Sequence, residues 1–334
     1  MPEAAYAPDW RTDRFEAVRV ERAGDVPAPR PAVVDVAVLD MNAGFANVGH
    51  DAIVALVRDA SLALDERLAA AGRRVRVVSY AVRDKLMVPD HARARYRLYL
   101  GTGGPGHLDP RRNTGDRGAE QIREDPSWEA PLWRLFDAIA GDADSSLYAV
   151  CHTFGLLCRW SGAAHAELRG PAKGGPMSGV GTNVLTAQAI AHPWFAPLAG
   201  ERGTHRAVPV LDSRYYDLIP EGAVAPGLTP IAFEGSRTDD GPGEALTMLE
   251  FVRDADGLAP RVFGVNSHPE ITAPERVREL LDRLLANGSL TAEVYAQRAK
   301  LLPVLRDDRP DERLAVGRRV FSDLLQRKLE RLVA

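Results

Sequence analysis

Two valine-rich runs, Val33 to Leu39 and Arg74 to Val82, flank a segment of helical spacing, and that pattern constrains the fold more than any other. Between them Ile53, Leu56, Val57, Ala60, Leu62 and Leu64 recur at intervals that predict a helix from His50 to about Ala71. Strand, helix and strand in this order form a βαβ unit. Such a unit requires a parallel sheet, whose strands are covered on both faces and therefore read as apolar runs rather than alternating ones. The expected class is α/β, with a mostly parallel central sheet and helices on both faces.

Further strands follow the same logic. Tyr96–Leu100 runs into a glycine-rich turn, Gly101–Gly106. Leu147–Val150 stops at Cys151, and a helix is predicted over Phe154–Trp160. Thr229–Phe233 and Thr247–Val252 read as antiparallel strands, and Arg261–Val265 leads into His268-Pro269-Glu270. Pro131–Ala140 has the apolar spacing of a helix. Residues 1–32 carry Pro2, Pro8, Pro27, Pro29 and Pro31 and read as an extended N-terminal arm. The polar connection 107–130 is long for a compact domain, which fits either a lid that selects substrate or simple disorder.

Beyond residue 272 the chain reads as a helical extension. Thr272-Ala-Pro-Glu275 is a capping box for a helix carrying Val277, Leu280, Leu281, Leu284 and Leu285 and stopping at Asn287-Gly288. A second helix is expected from about Thr291 to Leu302. A third begins near Asp311, with Leu314, Phe321, Leu325, Leu329 and Leu332 on one face. That face suits packing on the core or a homodimer contact.

Charge and composition exclude several classes. Lys plus Arg number 42 and Asp plus Glu 46, for a net charge of −4, which gives no support for a nucleic-acid partner. No apolar run approaches the ~20 residues of a membrane span. Arg11, Asp13, Arg14, Glu16, Arg19 and Glu21 leave no room for a secretory leader in the first thirty residues, and the expected location is the cytoplasm. Cys151 and Cys158 fit a reducing compartment and form no zinc pattern. Gly101–Gly106 lacks the Gly-Lys-Ser/Thr of a phosphate loop, so no cofactor or metal is expected.

A cysteine on a sharp strand-to-helix turn is either a buried structural thiol or an exposed nucleophile whose thiolate the helix N-terminus favours. Taken in order, the Gly-Gly-Pro turn, the Cys151 elbow and His268-Pro269-Glu270 resemble a class I glutamine amidotransferase domain. The resemblance covers about Val33 to Thr272. It implies a flavodoxin-like fold over 33–272, with 1–32 as the arm and 273–334 as the extension. It also implies a triad of Cys151 as nucleophile, His268 as base and Glu270 as the group orienting the imidazole. If His268 and Glu270 continue a strand, the two side chains share a face and can both point to Cys151. Oxyanion donors would be the backbone N–H groups of His152 and Gly104, presented beside Gly103.

The chain departs from that family next to the nucleophile. Relatives carry glycine two residues after the cysteine and glutamine four after it. Here Thr153 and Gly155 stand in those places, and Tyr216 stands where a histidine is common. Thr153 is expected to crowd the elbow, and Gly155 offers no side chain to hold a glutamine head group. His152 fits a second base or a helix-start residue. The resemblance implies an amidohydrolase acting on a small-molecule amide through a Cys151 thioester and passing ammonia to a separate synthetase or acceptor subunit. An acyltransferase or hydrolase on another substrate, and a catalytically silent binding relative, stay open.

Overall fold

The computed structural model describes residues 10–45, 48–91, 95–115, 122–170, 176–199, 206–235, 242–271, 291–299 and 312–334, with 278, 281, 282, 285 and 286. Its centre is one ten-stranded sheet. In chain order the strands are β1 (Phe15–Val20), β2 (Val33–Asp40), β3 (Arg74–Ala81), β4 (Leu98–Gly101), β5 (Ser146–Val150), β6 (His165–Leu168), β7 (Met177–Leu185), β8 (Ala207–Arg214), β9 (Tyr216–Ile219), β10 (Thr229–Gly235), β11 (Pro242–Arg253) and β12 (Pro260–Val265). The sheet order is β1-β3-β2-β4-β5-β12-β11-β10-β7-β8, and β6 and β9 form a separate antiparallel pair. From β1 to β12 neighbours are parallel. From β12 to β8 they are antiparallel.

The apolar run of β2 feeds two cores. Val36 and Val38 pack on one face with Ile53, Val54 and Val57 of helix α1 (Val48–Ala63). Ala37 and Leu39 pack on the other with Leu132, Leu135 and Phe136 of α4 (Glu129–Gly141). The helix expected over 50–71 is two helices, α1 and α2 (Asp65–Ala70), with Leu64 between them, and a single-turn α3 (Val82–Lys85) follows β3. Ser61 Oγ donates to Val57 O at 2.7 Å in the last turn of α1, the back-bonding that competes with helix continuation.

The N-terminal arm differs from expectation over Phe15–Val20, which pairs in parallel with β3 as the edge strand of the sheet. Its ends, Phe15 and Val20, are buried, while Arg19 reaches Asp40 Oδ2 at 2.7 Å. Only two residues of six sink fully into the core, which is too short a signal for an apolar pattern to reveal. The 107–130 connection is built of short 3-10 turns at Pro110–Arg112 and Pro126–Trp128 and a bridge between Thr114 and Arg123; residues 116–121 lie outside the described residues.

At the other end, helix Glu312–Val333 lays Phe321, Leu324, Leu325, Leu329 and Val333 into the same core as α1. Over residues 320–333 this face packs on the core of its own chain. Arg73 Nη1 closes the helix by donating to Leu332 O at 2.8 Å. The second helix is Ala292–Ala299. The capping box at 272–275, Val277, Leu280, Leu284 and the Asn287-Gly288 stop lie outside the described residues. No helix among the described residues is long and apolar enough to cross a membrane.

Candidate active site

The fifth strand sits between β4 and β12, and its chain turns abruptly at Cys151 into helix α5 (His152–Ser161). Cys151 takes φ 46° and ψ −102°, a left-handed conformation that costs a residue with a Cβ about 1–3 kcal/mol and persists only when neighbours hold it. Here the Cys151 N–H donates to Val265 O at 2.7 Å, tying the elbow to the end of β12. The thiol is half-buried, with Sγ 4.0 Å from Ser213 O. Cys158 lies about two turns further along α5, fully buried, and burial pushes its pKa well up.

The loop after β12 carries His268 and Glu270, and neither lies on a strand. The shared-face argument from strand alternation therefore does not apply. A turn brings them together instead: His268 Nδ1 is 2.8 Å from Glu270 Oε1, and Glu270 is sealed from solvent. The other ring nitrogen, Nε2, is 3.3 Å from Ser213 O. Both nitrogens thus face acceptors, an arrangement that suits the doubly protonated ring. Burial lowers the imidazole pKa, but the charge of Glu270 and the hydrogen bonds to Cys151 and Glu270 outweigh it and leave it well above the ordinary value. A folded-state pKa raised above the unfolded value near 6.5 stabilises the fold fully below that pH. The contribution is lost as pH rises through the raised value. Urea unfolding at mildly acidic and at alkaline pH is expected to show native protein and His268→Gln converging in stability at the alkaline end. Divergence there would contradict this protonation.

Glycines clear the space around this pair. A methyl group at Gly103 would stand 3.1 Å from His268 Cε1 and 3.5 Å from Cys151 Cβ. At Gly104 it would stand 2.2 Å from Met41 O, a backbone atom that cannot give way. Arg83 fixes the same turn from behind, donating from Nη1 to Met41 O (2.8 Å) and Pro105 O (2.7 Å) and from Nε to Glu124 Oε2 (2.6 Å).

Thr153 does not line the site. It is fully buried, and its Oγ1 donates to Thr102 O at 2.7 Å. The crowding expected from Thr153 falls on Gly101, where an added methyl would lie 2.3 Å from Thr153 Cγ2. Thr153 fills the space that a side chain at Gly101 would need. Gly155 is filled from outside: a methyl there would meet Leu108 Cδ1 at 2.4 Å. Leu108 belongs to a strap, His107-Leu108-Asp109, laid along α5. His107 neighbours His152, Leu108 covers Gly155, and Asp109 Oδ1 lies 3.6 Å from Arg159 Nη2. Glu129 latches the far end through Arg159 and through Arg111 at 2.7 Å.

The remaining wall comes from β8 and β9. Tyr216 is half-buried, and its ring meets that of His107 edge-on at 5.1 Å. Asp212 is buried beside Arg214, and its Oδ1 has no hydrogen-bond partner. Burial raises the Asp212 pKa against the opposing charges of Arg214 and His268. Arg214 and Arg169 both reach Asp217, at 3.1 and 2.5 Å, and Glu234, at 3.0 Å each. Sequence reasoning took Tyr216 from this segment and missed Asp212, Ser213 and Arg214. Three charged residues in the six from Asp212 to Asp217 were the available signal. Among the described residues no group of three His, Cys, Asp or Glu side chains is arranged to hold a metal ion.

The sequence matches no family model and no curated protein. Solved structures are similar. A glutamine amido transferase from Methylobacillus flagellatus aligns over 89% of this chain and 95% of its own, at 16% identity and a TM-score of 0.52. A glutamine amidotransferase from Thermotoga maritima aligns over 89% and 98%, at 13% identity and a TM-score of 0.46. At such identities the likeness is one of fold: this chain has the mixed α/β architecture of the Methylobacillus flagellatus enzyme.

Proposed function

We propose that this chain is a cysteine-dependent amidohydrolase or amidotransferase of the glutamine amidotransferase kind, with Cys151 as nucleophile, His268 as its proton partner and Glu270 orienting the ring. The observation that carries the reading is the left-handed elbow at Cys151 beside an imidazole whose Nδ1 is held by a buried carboxylate. The sulfur attacks the amide carbon, and its electron pair becomes the S–C bond while the carbonyl electrons move to oxygen. The imidazolium gives its proton to the departing nitrogen, leaving a thioester. Water then attacks the thioester, His268 takes the water's proton, and the acid leaves with Cys151 restored. The backbone N–H groups of His152 and Gly104 are the donors proposed for the oxyanion; neither enters a backbone hydrogen bond among the described residues. Gly103 keeps the approach to both groups open.

Brief iodoacetamide treatment at neutral pH, read by mass spectrometry, is expected to label Cys151 well ahead of Cys158, which is sealed and held as the thiol. Equal labelling in folded protein would count against an activated nucleophile.

A second reading concerns the substrate. Leu108 occupies the space above Gly155, so the helix face that the resemblance assigns to a glutamine head group is closed. This favours an amide, ester or thioester other than free glutamine, or a site completed by an acceptor subunit. Ammonia release from glutamine by the isolated chain is expected to be poor. Brisk release would restore the ordinary glutaminase reading.

A further inference from the structure

Arg83 is sealed inside the protein, and so is Glu124, which accepts from its Nε at 2.6 Å; the two side chains are 0% and 2% exposed. Burying such a pair gains little stability over an apolar pair of the same volume. What an apolar pair could not supply is the work of Nη1. That nitrogen donates to Met41 O at 2.8 Å and to Pro105 O at 2.7 Å. Both carbonyls lie past strand ends, Met41 after β2 and Pro105 after β4, and the pairing of these neighbours stops at Leu39 and Gly101. Thr102 carries the junction one step further. Its N–H donates to Leu39 O at 3.1 Å, and its Oγ1 accepts from Met41 N–H at 2.9 Å. Beyond that point Arg83 ties the two segments together.

Gly104 stands between the two bonds of Nη1. A methyl group on it would lie 2.2 Å from Met41 O and 3.2 Å from Arg83 Nη1. Its Cα therefore rests on the carbonyl that Nη1 grips, and the second gripped carbonyl follows one residue on. The guanidinium itself is held in place. It rises from α3, a turn after which Met87 N–H donates back to Ala81 O at 3.2 Å. Glu124 is fixed by Asn113, whose Nδ2 donates to Glu124 Oε1 at 2.7 Å and to His107 O at 2.9 Å. Asn113 Oδ1 accepts from His107 N–H at 2.8 Å. The strap along α5 and the turn beside Cys151 are thus joined through Arg83.

We propose that Arg83 is a positioning residue of this site: it holds the Gly104 N–H where the oxyanion forms, and so governs acyl transfer to Cys151 without touching the substrate. The proposal rests on Cys151 being the nucleophile and Gly104 N–H an oxyanion donor. Such a donor is worth about 10²- to 10³-fold in rate, and misplacing a group by about 1 Å can forfeit about 10²-fold.

Two electrophiles separate this role from support of the fold. With p-nitrophenyl acetate the sulfur adds to the carbonyl carbon, charge develops on oxygen, and p-nitrophenolate leaves. With iodoacetamide the S–C bond forms as the C–I bond breaks, and no oxyanion appears. A loosened elbow slows both reactions; a displaced Gly104 N–H slows only the first. The readout is the ratio of acylation to alkylation rates at Cys151, from p-nitrophenolate release and mass spectrometry. Arg83→Met/Glu124→Gln removes both charges together, which leaves no buried carboxylate unopposed, and is compared with Glu124→Gln. Its ratio is expected to be about 10- to 100-fold lower. An unchanged ratio, with both rates equal to the reference or lowered alike, overturns the proposal. If the double variant does not fold, Arg83→Lys decides. It keeps a charge opposite Glu124 but ends one bond short of Nη1, and its ratio is expected to fall at least about threefold, the scale of one lost hydrogen bond. An unchanged ratio there overturns the proposal too. Native protein that alkylates at Cys151 but does not acylate would overturn the proposal and leave the nucleophile standing. Native Cys151 inert to both electrophiles would sink the nucleophile reading and the proposal with it.

Discussion

Mixed with p-nitrophenyl acetate, the protein is expected to release p-nitrophenol in a stoichiometric burst that Cys151→Ala abolishes and His268→Ala slows by about 10²- to 10⁴-fold. The activated ester needs no recognition of the acyl group, so the burst reports the nucleophile apart from the substrate question. The acetyl group should be found on Cys151 and not on Cys158, which has no solvent path. Because the two residues act as a unit, Cys151→Ala/His268→Ala is expected to be no slower than Cys151→Ala alone. Glu270→Gln keeps a hydrogen-bonding side chain beside Nδ1 but removes the charge that holds the ring protonated, and should fall between native and His268→Ala. A burst that survives Cys151→Ala would remove Cys151 from the chemistry.

The second large effect is on stability. Gly101→Ala places a methyl 2.3 Å from Thr153 Cγ2 and 2.6 Å from its Cβ, in a region where both residues are buried. Neither the strand end nor the first turn of α5 can retreat, since Thr153 N–H and Oγ1 both bond Thr102 O. Overpacking of this kind is expected to cost about 3 kcal/mol or more. Thr153→Gly alone loses the Oγ1 hydrogen bond and adds helix flexibility, about 1–2 kcal/mol together. Combined, the two changes should be partly compensating, so that Gly101→Ala/Thr153→Gly is more stable in urea than Gly101→Ala. A double variant less stable than that single one would show that the two positions do not share one space.

Much of the frame could be read from residue patterns. The runs at Val33–Leu39 and Arg74–Val82 are buried on both faces and so carried the parallel sheet openly. The abrupt stop of Leu147–Val150 at Cys151 marked the elbow. What escaped were contacts between segments distant in sequence. Thr153 looked like an obstruction because its partner, Gly101, is fifty-two positions away on another strand. Gly155 looked empty because Leu108, which fills it, lies in a polar connection whose few apolar residues carry no period. The first strand hid behind charge: Glu16 and Arg19 stand at the sheet edge, where burial is partial. His268 and Glu270 meet through a turn, which side-chain alternation could not anticipate. The ion pairs of Asp212, Arg214 and Asp217 follow from β8 and β9 bending back toward the elbow, and local composition is silent about that.

The supports of the elbow and the imidazole are largely carbonyl oxygens. Val265 O holds the cysteine N–H, Leu211 O holds the His268 N–H at 2.8 Å, and Ser213 O faces the imidazole. Every amino acid brings the same carbonyl, so positions 211, 213 and 265 can change identity without withdrawing these supports. A scaffold that grips its reactive groups by the main chain leaves little record in the letters of its sequence. Two such chains can then keep one geometry while their alphabets drift apart, and recognition between them falls to shape.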